Sequence, residues 1–370
     1  MRSTADFLQI PIELGDRAYP VLIGENLLDT LHERLQNLGL CGKIAVISCP
    51  TVMDLYGERV LTALGNCSGP VVSFLIGESE EDKNLTTVRK LYDQLLENHT
   101  ERSSTVVALG GGLVGDTAGF VAATLLRGVN LIQVPTTILA QVDAAIGGKV
   151  GVNHPTGKNL IGAIYQPRMV LADIGALQTL PEREVRSGLA EVIKFAAIQD
   201  PQLFEFIEQN LDELIGLEID VLFPAISACC QIKADVVMED ERELLGRRSL
   251  LNFGHTIGHA LEALSGYERF RHGEAVAIGM VAAAHMGTAL KGFPADQFDR
   301  LVELLNRTGF SMDISDLTDE AILDRTRLDK KVLDGRVRYV LPRSIGDMVL
   351  DPDVPDESVL QALSFVRSLA

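Results

Sequence analysis

Short apolar runs alternate with helical segments through the first half of the chain, and this alternation limits the fold more than any other feature. Residues 43–48 (KIAVIS), 71–76 (VVSFLI), 105–109 (TVVAL) and 131–134 (LIQV) have the length and β-branched content of buried strands. Amphipathic stretches such as 85–97 lie between them. Strands buried on both faces and linked by helices pair parallel through crossovers, so this half reads as an α/β layer.

The texture changes after Asp173. Pro181, followed by Glu182 and Glu184, is a helix start with acids in its first turn. From there 183–198, 202–215, 221–238, 250–263, 274–290 and 296–308 all read as helix. A length of 370 residues suits two domains. The boundary falls at 173–181, giving an α/β domain over 1–175 and an all-α domain over 176–370. Clefts between domains favour ligands, so the chemistry is expected to draw on both.

With 46% hydrophobic and 23% charged residues, the composition is that of a globular protein. A formal net charge of −18 excludes a general nucleic-acid or anionic-membrane surface, which needs broad basic patches. Five cysteines with no C-x-x-C pair fit a reducing compartment and a packing role. The first residues, MRSTADFLQIPIELGD, lack the apolar core of a signal peptide. No uninterrupted apolar run reaches the roughly 18 residues of a spanning helix, AVAIGMVAAA after Glu274 being too short. The expectation is a cytoplasmic enzyme.

Residues 105–109 run into Gly110-Gly111-Gly112-Leu113-Val114-Gly115-Asp116, and a helical stretch follows. This is G-x-G-x-x-G in the strand–turn–helix context of a dinucleotide site, where backbone amides of Gly111, Gly112 and Gly115 approach a pyrophosphate closely. The turn is not in the first βα unit, and no acid ends the next strand, where Val134 meets Pro135. A ribose anchor must come from elsewhere, with Glu80 and Lys83 as candidates.

From Arg127 to Arg168 the charges are Arg127, Lys149, Lys158 and Arg168 against a single acid, Asp143. In so acidic a chain this local excess marks an anion site. Gly147, Gly148 and Gly157 would let the backbone curl around the ligand, with Asn153, Asn159, Thr136 and Thr137 adding hydrogen-bonding groups. Lysine ammonium groups, being point charges, suit phosphate.

His255 and His259 sit at i and i+4 on one helix face, and His272 follows before Gly273-Glu274. Three of the seven histidines lie within 18 residues, a concentration suited to zinc. A fourth donor is Glu191, although with Lys194 at i+3 it also reads as a plain ion pair. Spacing does not choose which three of Glu191, His255, His259 and His272 bind. The glutamate of H-E-x-x-H is missing, so peptide hydrolysis is not indicated.

The segments VPTTILAQVDAAIGGKVGVNHPTGKNLIGAIYQP, SGLAEVIK, DERE, LLNFGHTIGHALEA, HGEAVAIGM and DKKVLDGRVRYVLP, in this order, resemble the 3-dehydroquinate synthase family of the shikimate pathway. The resemblance spans about 80–342. It implies a Rossmann-like α/β N-terminal domain, a helical C-terminal domain, bound NAD, a catalytic zinc for which cobalt can substitute, and a homodimer. The implied reaction converts 3-deoxy-D-arabino-heptulosonate 7-phosphate to 3-dehydroquinate and phosphate, with NAD regenerated in each turnover. The family's metal ligands fall on Glu191, His255 and His272. Its substrate positions fall on Lys149, Lys158, Asn159, Lys194, Lys233, Arg248, Asn252, His259 and one of Lys330 and Lys331, taken as Lys331. Arg127 matches an arginine that reaches the neighbouring subunit's site. Glu80, Lys83, Gly112, Asp116, Thr136, Thr137 and Thr179 match cofactor positions, Lys149 and Lys158 border them, and Asp143 matches an acid near the nicotinamide.

Three departures stand out. Cys49-Pro50 replaces the usual Asp or Asn after the first core strand, Ser79 replaces a Gly before Glu80, and the segment ERELLGRRSLLN is one residue longer than usual before Arg248. They bear on the adenosine side and on one loop.

Overall fold

The computed structural model describes residues 7–327 and 337–370. The chain divides into two compact units, Met1–Leu180 with Leu222–Met238, and Pro181–Val221 with Glu239–Ala370. The first unit is therefore discontinuous in sequence.

Its strands are β1 (Phe7–Ile12), β2 (Tyr19–Gly24), β3 (Ile44–Ser48), β4 (Val71–Leu75), β5 (Thr105–Gly110), β6 (Asn130–Pro135), β7 (Lys149–His154), β8 (Gly157–Ile164) and β9 (Met169–Asp173). Seven of them form one sheet in the order β1-β2-β9-β6-β5-β3-β4. Every neighbouring pair is parallel except β1 with β2. Period-2 alternation divides the core between the two faces. Val46, Val107, Leu109 and Ile132 pack on one face with Leu31, Leu35, Val60 and Leu64. On the other face Ala45, Ile47, Val106, Ala108 and Leu131 pack with Val88, Leu91, Ala118 and Val121. Residues 71–75 are less buried than their sequence suggests, Leu75 being 52% exposed, because β4 is the edge strand.

This order sets the ligand end. After β3 the chain steps outward to β4, then returns to β5 and proceeds the other way through β6 to β9. The topological switch lies between β3 and β5, the position where open α/β sheets bind nucleotides at the carboxyl ends of their strands. The glycine turn leaves β5 there and enters the helix Gly112–Thr124.

The second unit is helical, with one antiparallel ladder that the helical reading of residues beyond 173 did not contain: β10 (Tyr339–Ser344) and β11 (Asp347–Asp351). Gly346, at φ 90°, makes the tight turn between them. The single helix expected over 202–215 is two, Pro201–Gln209 and Leu211–Ile215, parted at Asn210. The expected 250–263 helix begins as a 3-10 turn, Arg248–Asn252, and restarts as His255–Leu264 after Gly254 at φ 78°. Ile219–Glu239 and His272–Lys291 are long and apolar enough by composition to cross a bilayer, with 56% and 72% of those windows buried within the protein. Counting unbroken apolar runs missed them, because a few interspersed polar side chains leave the average high. Helices apolar on all sides are also what a buried core requires.

Glycines bring the metal-type helices together. A methyl on Gly279 would overlap the carbonyl oxygen of Gly254, and one on Gly273 would overlap that of Ser187. The helix His272–Lys291 thus touches the backbone of both the His255–Leu264 and the Glu182–Gln199 segments. We expect Gly279→Ala to destabilise the protein by about 1–3 kcal/mol, the usual cost of overpacking. The same change should weaken metal retention, read as a lower denaturation midpoint together with metal loss on dialysis.

Candidate active site

In the helical unit, Glu191 lies mid-helix and is fully buried (0% exposed). Its Oε2 accepts a hydrogen bond from the Lys194 ammonium, one turn along and 1% exposed. Its Oε1 lies 3.6 Å from Nε2 of His255 and 3.6 Å from Nε2 of His272. Those separations are too long for good hydrogen bonds. Zn–N and Zn–O bonds of about 2.1 Å in a tetrahedron place neighbouring donors ~3.4 Å apart, close to the observed values. The far nitrogens of both rings are engaged. Nδ1 of His255 lies 3.1 Å from the carbonyl oxygen of Phe253, to which it donates, so the neutral ring presents Nε2 as its ligating nitrogen. Nδ1 of His272 lies 3.3 Å from Oε2 of Glu262, itself 3% exposed. A carboxylate or carbonyl behind each imidazole is the usual support of a metal-ligating histidine.

The electrostatics agree with a cation. Burial alone would lower the His272 pKa, but the carboxylates of Glu262 and Glu191 more than offset it and push the group up to about 10. Two imidazoles and one carboxylate fit a divalent ion and leave a fourth position open. His259 lies beside them, its ring centroid 5.4 Å from that of His255 and 6.2 Å from that of His272. His259, Glu262 and His272 form a second donor group that shares His272 with the first. The backing of His255 by Phe253 and of His272 by Glu262 favours the group containing Glu191, because it leaves Glu262 as a supporting acid. Arg248 is buried at the 3-10 turn: its N–H donates to Asp240 Oδ2 at 3.3 Å and its Nη1 to the Glu241 carbonyl at 2.6 Å. Asn252 ends the same turn. The segment before Arg248 forms a loop with Glu243 at φ 58° and Gly246 at φ 84°, capped by Asp240 accepting from the amides of Leu244 and Leu245.

In the α/β unit, the strip from Asp143 is not a loop curled around a ligand but a hairpin, β7 with β8. The chain does turn at Gly147 and Gly148 (φ 98° and 68°), just before β7. Lys149 opens β7, and Lys158 lies beside the His154–Gly157 turn at the other end. Val150 and Val152 point inward, so strand alternation turns Lys149 to the opposite face. The other sharp backbone turn is at Asn159 (φ 55°) rather than at Gly157. Buried Lys83 donates from Nζ to Asp116 Oδ2 at 2.5 Å and to Asn159 Oδ1 at 2.6 Å. Burial raises the Asp116 pKa against the pull of Lys83. Glu80 accepts from Asn153 Nδ2 at 2.7 Å, tying the segment after β4 to the hairpin. Lys233 Nζ donates to Asp143 Oδ1 at 2.6 Å.

At the glycine turn, a methyl on Gly115 would meet the Gln133 side chain of β6 at 2.8 Å, so Gly115 serves close helix–strand packing. Gly111 caps the helix without a side chain, near Thr137, and the Thr136 amide donates to the Gly110 carbonyl at 3.1 Å. Thr179 is farther along the chain, with its hydroxyl 2.5 Å from that of Tyr56. Ser79 caps a 3-10 turn in a capping box with Asp82, and Cys49-Pro50 begins a short helix whose Thr51 amide donates to Glu78. Arg127 is exposed on a turn in which Leu126, Arg127 and Gly128 all have positive φ (51°, 66° and 116°). Lys330 and Lys331 lie outside the described residues.

Two groups were missed from sequence, Glu262 and Asp240. Glu262 carried a signal: it follows His255 by seven residues, two helical turns along the same face. Asp240 carried none, since its partners are backbone amides.

A parallel sheet with a glycine turn at its switch point, and a helical His/Glu centre, give the chain the fold class of the sugar phosphate cyclases. Solved structures agree. The 2-epi-5-epi-valiolone synthase of Streptomyces hygroscopicus subsp. jinggangensis, with NAD+ and Zn2+ bound, superposes with a TM-score of 0.88 at 25% identity, covering 97% of this chain and 98% of that one. A 2-deoxy-scyllo-inosose synthase complexed with carbaglucose-6-phosphate, NAD+ and Co2+ gives 0.86 at 29%, over 98% and 99%. Glycerol dehydrogenase of Schizosaccharomyces pombe gives 0.69 at 16%, over 94% and 88%, a likeness of fold alone. Residues 73–187 match the family model of the 3-dehydroquinate synthase N-terminal region and 188–332 that of its C-terminal region. The 3-dehydroquinate synthase of Nostoc punctiforme is 48% identical over 96% of this chain and 98% of its own length. That of Pelotomaculum thermopropionicum is 45% identical over 96% of each. The chain belongs to the 3-dehydroquinate synthase family.

Glu262→Gln should lower metal affinity about 10–100-fold while leaving the fold intact. Competition with a chromophoric chelator, alongside circular dichroism, checks this; unchanged affinity would remove Glu262 from the site.

Proposed function

We propose that this protein converts 3-deoxy-D-arabino-heptulosonate 7-phosphate to 3-dehydroquinate and phosphate. The observation that carries the reading is the Glu191–His255–His272 donor group, in a chain 45–48% identical to 3-dehydroquinate synthases over most of its length. Glu191, His255 and His272 would hold a zinc or cobalt ion. The glycine turn, Asp116, Thr136, Thr137, Glu80 and Lys83 would hold NAD. When bound, NAD accepts and returns a hydride, and the metal as a Lewis acid acidifies the hydroxyl to be oxidised.

The chain's own groups bind and orient. Lys149, Lys158, Asn159 and Arg127 take the phosphate end, and Lys194, Lys233 and Arg248 take the carboxylate and hydroxyl side. Preorganised positive charge stabilises the phosphate as it leaves. Asn252 orients the sugar. His259, beside the donor group, relays a proton within the site. The departing phosphate can accept the neighbouring carbon-bound proton itself, so no dedicated base is required. The reaction has no net redox change. We further propose a cytoplasmic homodimer in which the turn at 126–128 presents Arg127 to the neighbouring subunit's site.

The test is phosphate release from the heptulosonate phosphate, with and without chelator and added NAD. Release should need metal and proceed without NADH accumulating. Metal-independent release, or steady NADH formation from a polyol, overturns the reading. A valiolone- or inosose-forming cyclase would instead prefer sugar phosphates lacking the carboxylate. Lys149→Ala should cut phosphate release by about 10²-fold or more with the metal still bound.

A further inference from the structure

Outside the residues assigned to this reaction, three soft donors of the α/β unit converge at its surface. His32 is the second residue of the helix Leu31–Asn37, Cys41 lies in the turn between that helix and β3, and Cys67 lies in the turn between the helix Glu58–Leu64 and β4. Nδ1 of His32 is 3.4 Å from Sγ of Cys67 and 3.8 Å from Sγ of Cys41, and the two sulfurs are 2.9 Å apart. The backbone holds this arrangement: the Gly69 amide and the Ser68 hydroxyl both donate to the Cys41 carbonyl, at 3.1 and 2.9 Å. Both cysteines are free thiols, and all three side chains are partly exposed, so an ion can reach them from solvent.

We propose that His32, Cys41 and Cys67 form a second metal site, for a thiophilic cation of the Zn2+ type. Two thiolates and an imidazole are the donors such an ion selects over harder cations. With Zn–S bonds of about 2.3 Å and a Zn–N bond of about 2.1 Å, a tetrahedron has S–N edges of ~3.6 Å, between the two observed distances. Its S–S edge is ~3.8 Å, so the sulfurs part by roughly 1 Å as the ion enters. A disulfide would need only the two sulfurs and would leave the imidazole idle. The fourth position stays open to water. Binding releases the two thiol protons and fastens the helix Leu31–Asn37 to the turns that start β3 and β4, so the site is a structural staple.

Co2+ binding to the reduced, metal-stripped protein tests this. The Glu191 centre contains no sulfur, so a sulfur-to-cobalt charge-transfer band reports only the new site. Two Co2+ per chain are expected, one of them producing that band. Cys41→Ser and Cys67→Ser should each remove the band and reduce binding from two ions to one, without changing phosphate release from the heptulosonate phosphate. His32→Gln should weaken the band-forming site about tenfold or more. The wild-type spectrum decides even if a variant misfolds. No charge-transfer band, or one Co2+ per chain, overturns the proposal. So does a reduced protein without the band whose air-oxidised form reversibly loses two of its five thiols, since the pair then forms a disulfide.

Discussion

Burying the carboxylate of Glu191 is the constraint around which the helical unit is arranged. An ionised carboxylate removed from water is costly unless charge and hydrogen bonds compensate it. Lys194 supplies one compensation at Oε2, and the His255 and His272 nitrogens stand 3.6 Å from Oε1, at the spacing of a shared cation. Glu262 and the Phe253 carbonyl then orient the imidazoles from behind. Each layer makes sense only with the one inside it, and the small residues of the His272–Lys291 helix are what let the backbones approach closely enough.

The α/β unit follows a similar logic with opposite charge. Its cations are held by carboxylates and amides before any ligand arrives: Lys83 by Asp116 and Asn159, and Lys233 by Asp143. Such pairing fixes the ammonium positions. The sheet contributes the placement. A glycine turn belonging to the fourth parallel strand still lies at the nucleotide end, because the strand order reverses between β3 and β5. Reading it as displaced from the first βα unit was correct in sequence and irrelevant in space.

Periodicity made the broad architecture legible. Continuous apolar runs rich in β-branched residues marked β3, β5 and β6 to within a residue, and the 3.6-residue pattern marked the helix Leu85–Glu97 at its observed ends. The hairpins were harder. β7 and β8 are rich in glycine and charge, and β10 carries Pro342, so neither showed a clean alternation. The histidines announced a metal, but which three donors converge depends on ring orientation and on Glu262, and neither is encoded in spacing.

The sequence by itself determined which groups are present: a cationic strip in an acidic chain, a glycine turn after a buried strand, and a cluster of imidazoles with a glutamate in an apolar helix. Those follow from residue type and local period, which are properties of the chain. Only tertiary structure decided which groups meet: Glu191 Oε1 with two imidazoles, Lys83 with Asn159, Lys233 with Asp143, and His32 with two cysteines. The partners in these contacts are separated by between 9 and 90 residues, the nearest being His32 and Cys41 and the farthest Asp143 and Lys233. Contacts at such separations are set by how helices and strands pack, which no local pattern of side chains specifies.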